Sequence, residues 1–242
     1  ICDGQHRFLG LAIHGAPVRF GVQFGEAVEA RDTYDAGNPR SAADILHMHG
    51  ASDVSIRQAV IKTAVNYQQK LNKDRAPVVP LDRAQIVEQA ELHAQNLARA
   101  IGQAKSSMEK PESQAMPASY ECCLNLNTAA SVGFLMLSGG WSLSEVGSFL
   151  STFQLGIGEG ENHPIEQGAS LLLRDRRAKA RRGMTTNQKI ALSLHCNYLW
   201  REKKRQALRV PKDLVSYQRP DDLPPDPIGD GIPLVETSKS NH

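Results

Sequence analysis

The amino-acid sequence predicts an α+β chain that is mostly α, in three parts. Residues 1–50 form a short α/β segment, 51–210 a multi-helix domain with basic C-terminal helices, and 211–242 a proline-rich tail. Three observations predict this. Residues 1–24 read as strand, turn, helix and strand. Capping boxes at Asp82–Gln85, Ser142–Glu145 and Thr185–Gln188 open helices beyond residue 80, because each pairs a short polar N-cap with an acid or amide three residues on. Prolines then crowd the end of the chain, at Pro211, Pro220, Pro224, Pro225, Pro227 and Pro233.

The elements follow in order. A short apolar start, Ile1-Cys2, runs into Asp3-Gly4, a turn signal because Gly4 can take positive φ at little cost. Phe8, Leu9, Leu11 and Ala12 then have the spacing of the buried face of a short helix. Gly15-Ala16-Pro17 ends it, and Val18 to Phe24 alternates as a strand. Glu26 to Tyr34 reads as a short helix stopped by Gly37-Asn38-Pro39. Ser41 is the expected N-cap of a helix from Ala42 to His49, with Asp44 in its first turn. A helix over Ser52–Leu71 follows, then one from Asp82 to about Ala104. Residues 105–118 form a polar loop. Tyr120 to Leu137 is the most apolar helix and is placed at the centre of the core, with Cys122 and Cys123 inside it. A helix through about Phe153, one from Ile165 to about Arg181 with Pro164 in its first turn, and one from Thr185 past Leu199 complete the domain. The last twenty or so residues lack the apolar density to offset ordering entropy.

Charge is unevenly spread. The net charge is +2, but residues 174–212 carry thirteen Lys/Arg against Asp175 and Glu202, which is +11 and leaves −9 for the rest. Such segregation points to a polyanion-binding face. On a helix, Arg174, Arg177, Ala178 and Arg181 share one row, and Arg182 follows; a second cluster contains Arg201, Lys204 and Arg205. The bland alternative is a solvated helix pair whose Lys and Arg stems cover apolar surface. The helices flanking Gly183 loosely suggest a helix-turn-helix, though both are long for that motif. Trp141 and Trp200 stand far apart in the chain and do not suggest a platform for stacked bases. Gly156, Gly158 and Gly160 follow a helix rather than a strand and read as a connection, not a nucleotide loop.

The four cysteines, Cys2, Cys122, Cys123 and Cys196, make no metal-ligand spacing and read as reduced thiols. His47 and His49 fall on different helix faces, and His163 and His195 read as surface or packing residues, so no metal site is expected. No stretch is apolar over the length a membrane span needs, and a cytoplasmic location and no membrane partner are expected. The chain starts at Ile1 in the middle of a motif and reads as a fragment.

The first turn gives the sharpest signal. A helix that starts after Asp3-Gly4 presents unsatisfied N–H groups beside His6 and Arg7, which makes an anion site. Asp3-Gly4-Gln5-His6-Arg7 resembles the DGQHR signature of the ParB/sulfiredoxin-like superfamily. Asp35, Gly37 and Arg40, with Ser41-Ala42-Ala43-Asp44-Ile45-Leu46, resemble a segment of its phage- and plasmid-borne members. The resemblance covers residues 1–50, with a weaker likeness over 155–225. It implies that residues 1–50 are the C-terminal part of a small α/β domain. It also implies a nucleotide or phosphate site made by Gly4, Gln5, His6, Arg7, Asp35 and Arg40, able to take a nucleoside triphosphate with Mg²⁺. Sulfiredoxins place a catalytic Cys where Gln5 stands, so sulfinic-acid reduction is not expected.

Three functions stay open on these grounds. One is a DNA-associated ParB-like protein of a mobile element, meeting DNA through Arg174, Arg177, Arg181, Arg182, Arg201, Lys204 and Arg205. The second is a metal-dependent nuclease or nucleotide hydrolase, with Asp3 and His6 as candidate catalytic groups. The third is a regulatory module like the DndB-type DGQHR proteins, in which the basic helices bind a protein.

Overall fold

A computed structural model describes residues 9, 12, 13, 15, 19, 40–71, 80–109, 122–156, 163–177 and 183–208. Among them the secondary structure is helical, with no strand. The chain divides into two units, residues 1–54 and 55–242.

In the first unit, Leu9, Ala12 and Ile13 are helical, in agreement with a helix after the Asp3-Gly4 turn. Of the residues expected on its buried face, Leu9 is 59% exposed and Ala12 is exposed, while Phe8 and Leu11 lie outside the described residues. Helix α1 (Ala42–Met48) starts as its sequence predicts. The Ser41 hydroxyl accepts from the Asp44 N–H at 3.2 Å, and the Asp44 carboxylate accepts from the Ser41 N–H at 2.9 Å. The Ser41 hydroxyl and N–H, with the Arg40 and His47 charges adding to them, hold the Asp44 carboxyl below its ordinary value. The expected strand over residues 18–24 (apart from Arg19) and the helix over 26–34 lie outside the described residues, as does the proline-rich tail.

The second unit holds α2 (Val54–Leu71, starting at the boundary), α3 (Arg83–Leu92), α4 (Ala94–Met108), α5 (Leu126–Ser138), α6 (Leu143–Leu155), α7 (Pro164–Arg177) and α8 (Thr186–Arg201). Helix α5 is buried on every side from Thr128 to Leu137. Its sequence is apolar almost all round, and such a helix is stable only when enclosed. It packs against α4, α6 and α8; α7 lies on α6 and α8, and α3 on α4. Gly133 lets α5 nestle between its neighbours, since a Cβ there would stand 3.3 Å from Leu150 Cδ1 and 3.6 Å from Ala100 Cβ. Helix α2 is tied in by polar contacts: the Arg57 guanidinium donates to the Ala94 carbonyl at 3.2 Å, and Asn187 donates to Asn66 at 3.1 Å. No helix among the described residues is long and apolar enough to cross a membrane.

Two expectations are corrected. The helix expected over 82–104 is two helices, broken at His93. His93 takes φ −103° and ψ 20°, outside the regular helical range, and its ring packs edge-on to Phe134 at 5.6 Å. The central helix begins at Leu126, not Tyr120, because the Asn125 side chain accepts from the Thr128 N–H and fixes the start there. Cys122 and Cys123 therefore precede the helix. Both are free thiols, and burial pushes Cys123 up to about 12. The Gln154 side chain fills the gap beside them. Its oxygen accepts from the Leu124 N–H (3.0 Å) and the Cys123 thiol (3.3 Å), while its nitrogen donates to the Leu124 carbonyl (3.2 Å).

Burial pushes the imidazoles of His93 and His195 below the ordinary histidine value, so both favour the neutral form when folded. The unfolded chain then binds more protons than the folded chain below about pH 6.5, and stability falls with acidification. Thermal melts should give a lower Tm at pH 5.5 than at pH 7.5, a window above the carboxylate range. An unchanged or higher Tm at pH 5.5 would show that neither ring resists protonation.

Candidate nucleic-acid interface

The basic segment is built on α7 and α8. The first begins at His163, a buried residue whose Nδ1 accepts from the Ile165 N–H at 3.3 Å, with Pro164 at the first helical position. The second begins with a capping box: the Gln188 amide oxygen accepts from the Thr185 N–H at 2.8 Å, and the Thr185 hydroxyl accepts from the Gln188 N–H at 3.3 Å. Asp175 joins the two. Its carboxylate accepts from the Met184 N–H at 2.6 Å and pairs with Lys189 at 3.1 Å. An anion there also suits the positive N-terminal end of α8.

Asp175 lies at the level of Lys189, and Gly168 at the level of Cys196. A Cβ on Gly168 would collide with the Cys196 sulfur. The helices are thus antiparallel and in close contact, not crossed steeply as in a helix-turn-helix.

This arrangement splits the basic run in two. Arg174, Arg176 and Arg177 lie at the end of α7, beside the start of α8. Arg201, Lys203, Lys204 and Arg205 lie at the opposite end of the pair. Twelve residues of α8 separate Lys189 from Arg201, which places the two cationic ends about 18 Å apart. All seven of these side chains are exposed.

Their engagements differ. Arg176 donates to the Cys122 carbonyl at 2.9 Å and holds the segment that precedes α5. The Arg201 guanidinium lies 4.7 Å over the Trp141 ring. The Lys204 ammonium lies 5.0 Å over the Tyr198 ring and donates to its hydroxyl at 2.6 Å. The side chains of Arg174, Lys203 and Arg205 make no hydrogen bond or ion pair among the described residues.

The end of α8 closes as a Schellman turn, with the Lys204 N–H bonded to the Leu199 carbonyl at 2.9 Å. Lys203 takes φ 53°, the left-handed region where glycine is usual. The chain then returns along α7. The Gln167 nitrogen donates to the Gln206 carbonyl (3.3 Å) and its oxygen accepts from the Leu208 N–H (2.8 Å). Gln206 also reaches His195 Nε2 at 3.1 Å.

Of the sequence-derived site residues, Arg174, Arg177, Arg201, Lys204 and Arg205 are surface cations, and the two clusters lie at opposite ends of the helix pair. Arg181 and Arg182 lie outside the described residues. So do Asp3, Gly4, Gln5, His6, Arg7 and Asp35, while Arg40 is half-exposed beside the Ser41 cap. Sequence reasoning missed Asp175, whose single acid in a basic run was a readable signal. It also kept Trp141 and Trp200 apart; the Arg201–Trp141 contact brings both to one end of the helical bundle. Among the described residues no group of three or more His, Cys, Asp or Glu could hold a metal ion.

No protein-family model matches the chain, and searches of curated proteins and of solved structures give no significant match.

Proposed function

We propose that the chain is a DNA-associated protein whose helical part meets nucleic-acid phosphates through the two cationic ends of the α7–α8 pair. Residues 1–50 belong to a ParB/sulfiredoxin-like α/β domain in this reading. Its DGQHR turn, with Gly4, Gln5, His6, Arg7, Asp35 and Arg40, takes a nucleotide or phosphate. The observation that carries the proposal is the exposed arginine group at the end of α7. Among the described residues the carboxylate beside it, Asp175, is engaged by Lys189 and the Met184 N–H.

Fluorescence anisotropy of a labelled duplex over a salt series tests it. With three to five phosphates neutralised, affinity should fall about 40- to 500-fold between 50 and 200 mM salt. The double variant Arg174→Ala/Arg177→Ala should lower the log–log slope by about 2. No binding at 50 mM salt, or binding indifferent to salt, would remove the DNA role. In the same assay, a nucleoside triphosphate with Mg²⁺ should change duplex affinity, and Arg7→Ala should abolish that change.

A further inference from the structure

The two ends of the α7–α8 pair differ in chemistry. The described residues at the α7 end, 174–177 and 183–189, include no aromatic side chain. The α8 end has three half-buried aromatic residues, Trp141, Tyr198 and Trp200. It interleaves them with the exposed cations Arg201, Lys203, Lys204 and Arg205. Arg201 stacks over Trp141 and Lys204 over Tyr198, while Trp200 leans on Phe149 at 6.1 Å between centroids.

We propose that this end of the bundle holds an unpaired nucleic-acid strand, with bases stacked on Trp141, Tyr198 and the Arg201 guanidinium and with Lys203, Lys204 and Arg205 at the phosphates. The inference rests on the nucleic-acid reading above and adds the form of the partner. Flat aromatic and guanidinium surfaces accept any unpaired base, whereas the bases of a duplex are already stacked on one another. Among the described residues, two carboxylates share this end. Glu145 is engaged by the Ser142 N–H and hydroxyl, with the Arg201 charge nearby, and Glu202 caps α8. Four cations outweigh them. Lys203 gives a separate indication, because it keeps a cation at a left-handed position that glycine would occupy without strain.

The chain has two tryptophans, both at this end, so their emission reports on it alone. The experiment titrates the chain and its Trp141→Phe and Trp200→Phe variants with a labelled oligothymidylate and, separately, with a labelled duplex. Anisotropy and tryptophan emission are read together. Oligothymidylate should bind and quench the emission saturably. Trp141→Ala should weaken oligothymidylate about five- to one-hundred-fold and weaken the duplex far less. Arg201→Lys, which keeps the charge and loses the plane, should weaken it in the same direction. Lys203→Gly should raise Tm by about 1–3 °C while weakening oligothymidylate, which separates binding from folding. Oligothymidylate that binds without quenching, or a duplex that binds where oligothymidylate does not, overturns this inference and leaves the DNA reading intact. A chain that binds neither removes both.

Discussion

Replacing Gln154 by Leu should lower the unfolding free energy by about 2–6 kcal/mol. The cost does not come from the glutamine itself. Leu124 is buried, and both its N–H and its carbonyl are satisfied by the Gln154 amide. Leucine has similar bulk and no polar atom, so two buried backbone groups lose their partners together, each at about 1–3 kcal/mol. Gln154→Glu keeps an acceptor for the Leu124 N–H but has no donor for the carbonyl and buries a carboxylate. It should be at least as damaging at neutral pH and recover partly in acid. Urea titrations of the two variants decide the matter. A loss below 1 kcal/mol for the leucine variant would mean that water reaches Leu124.

Phe134→Ala should cost about 3–5 kcal/mol, the usual range for emptying a fully buried aromatic site. Phe134 is fully buried in α5, and its ring is the surface on which His93 rests. The same substitution should flatten the acid-side loss of stability. His93 favours its neutral form because of burial. Its Nε2 is buried and has no hydrogen-bond partner among the described residues. A cavity in place of the phenyl ring brings water to that nitrogen and lowers the cost of protonating it. Melts of wild type and variant at pH 7.5 and 5.5 give both numbers. A variant with the full wild-type pH dependence would show that His93 is desolvated by other neighbours.

What the sequence revealed, and what it hid, follows from the range of each interaction. Ser41–Asp44, Asp82–Gln85, Ser142–Glu145 and Thr185–Gln188 form capping boxes within four residues of chain. Helix starts were legible there because both partners were. The break at His93 was not, since no proline or glycine marks it; it goes with a ring contact to Phe134, some forty positions on. The start of α5 was readable in Asn125, yet the apolar character of residues 120–137 outweighed one capping residue. Gln154 and Leu124 are thirty positions apart, and nothing in either neighbourhood announces the pair. The two basic clusters were legible as such, but their placement was not: antiparallel pairing of α7 and α8 sends Arg174 and Arg201 to opposite ends. The DGQHR turn is the most specific motif of the chain and lies outside the described residues.

The close packing at Gly168 and Cys196 leaves α7 and α8 little freedom to slide, which makes the separation between the cationic ends a constant of the molecule. Two weak holds on one strand, joined by a rigid strut, behave as a bivalent ligand with a very high effective concentration for the second contact. At 3.4 Å per stacked nucleotide, about 18 Å corresponds to five or six nucleotides. Under the proposed nucleic-acid reading, oligonucleotides shorter than this would occupy one end at a time. Longer ones would reach both, and affinity should climb in a step at that length rather than smoothly. Avidity would then act as a length filter, letting a protein with modest individual contacts ignore short fragments and retain long strands.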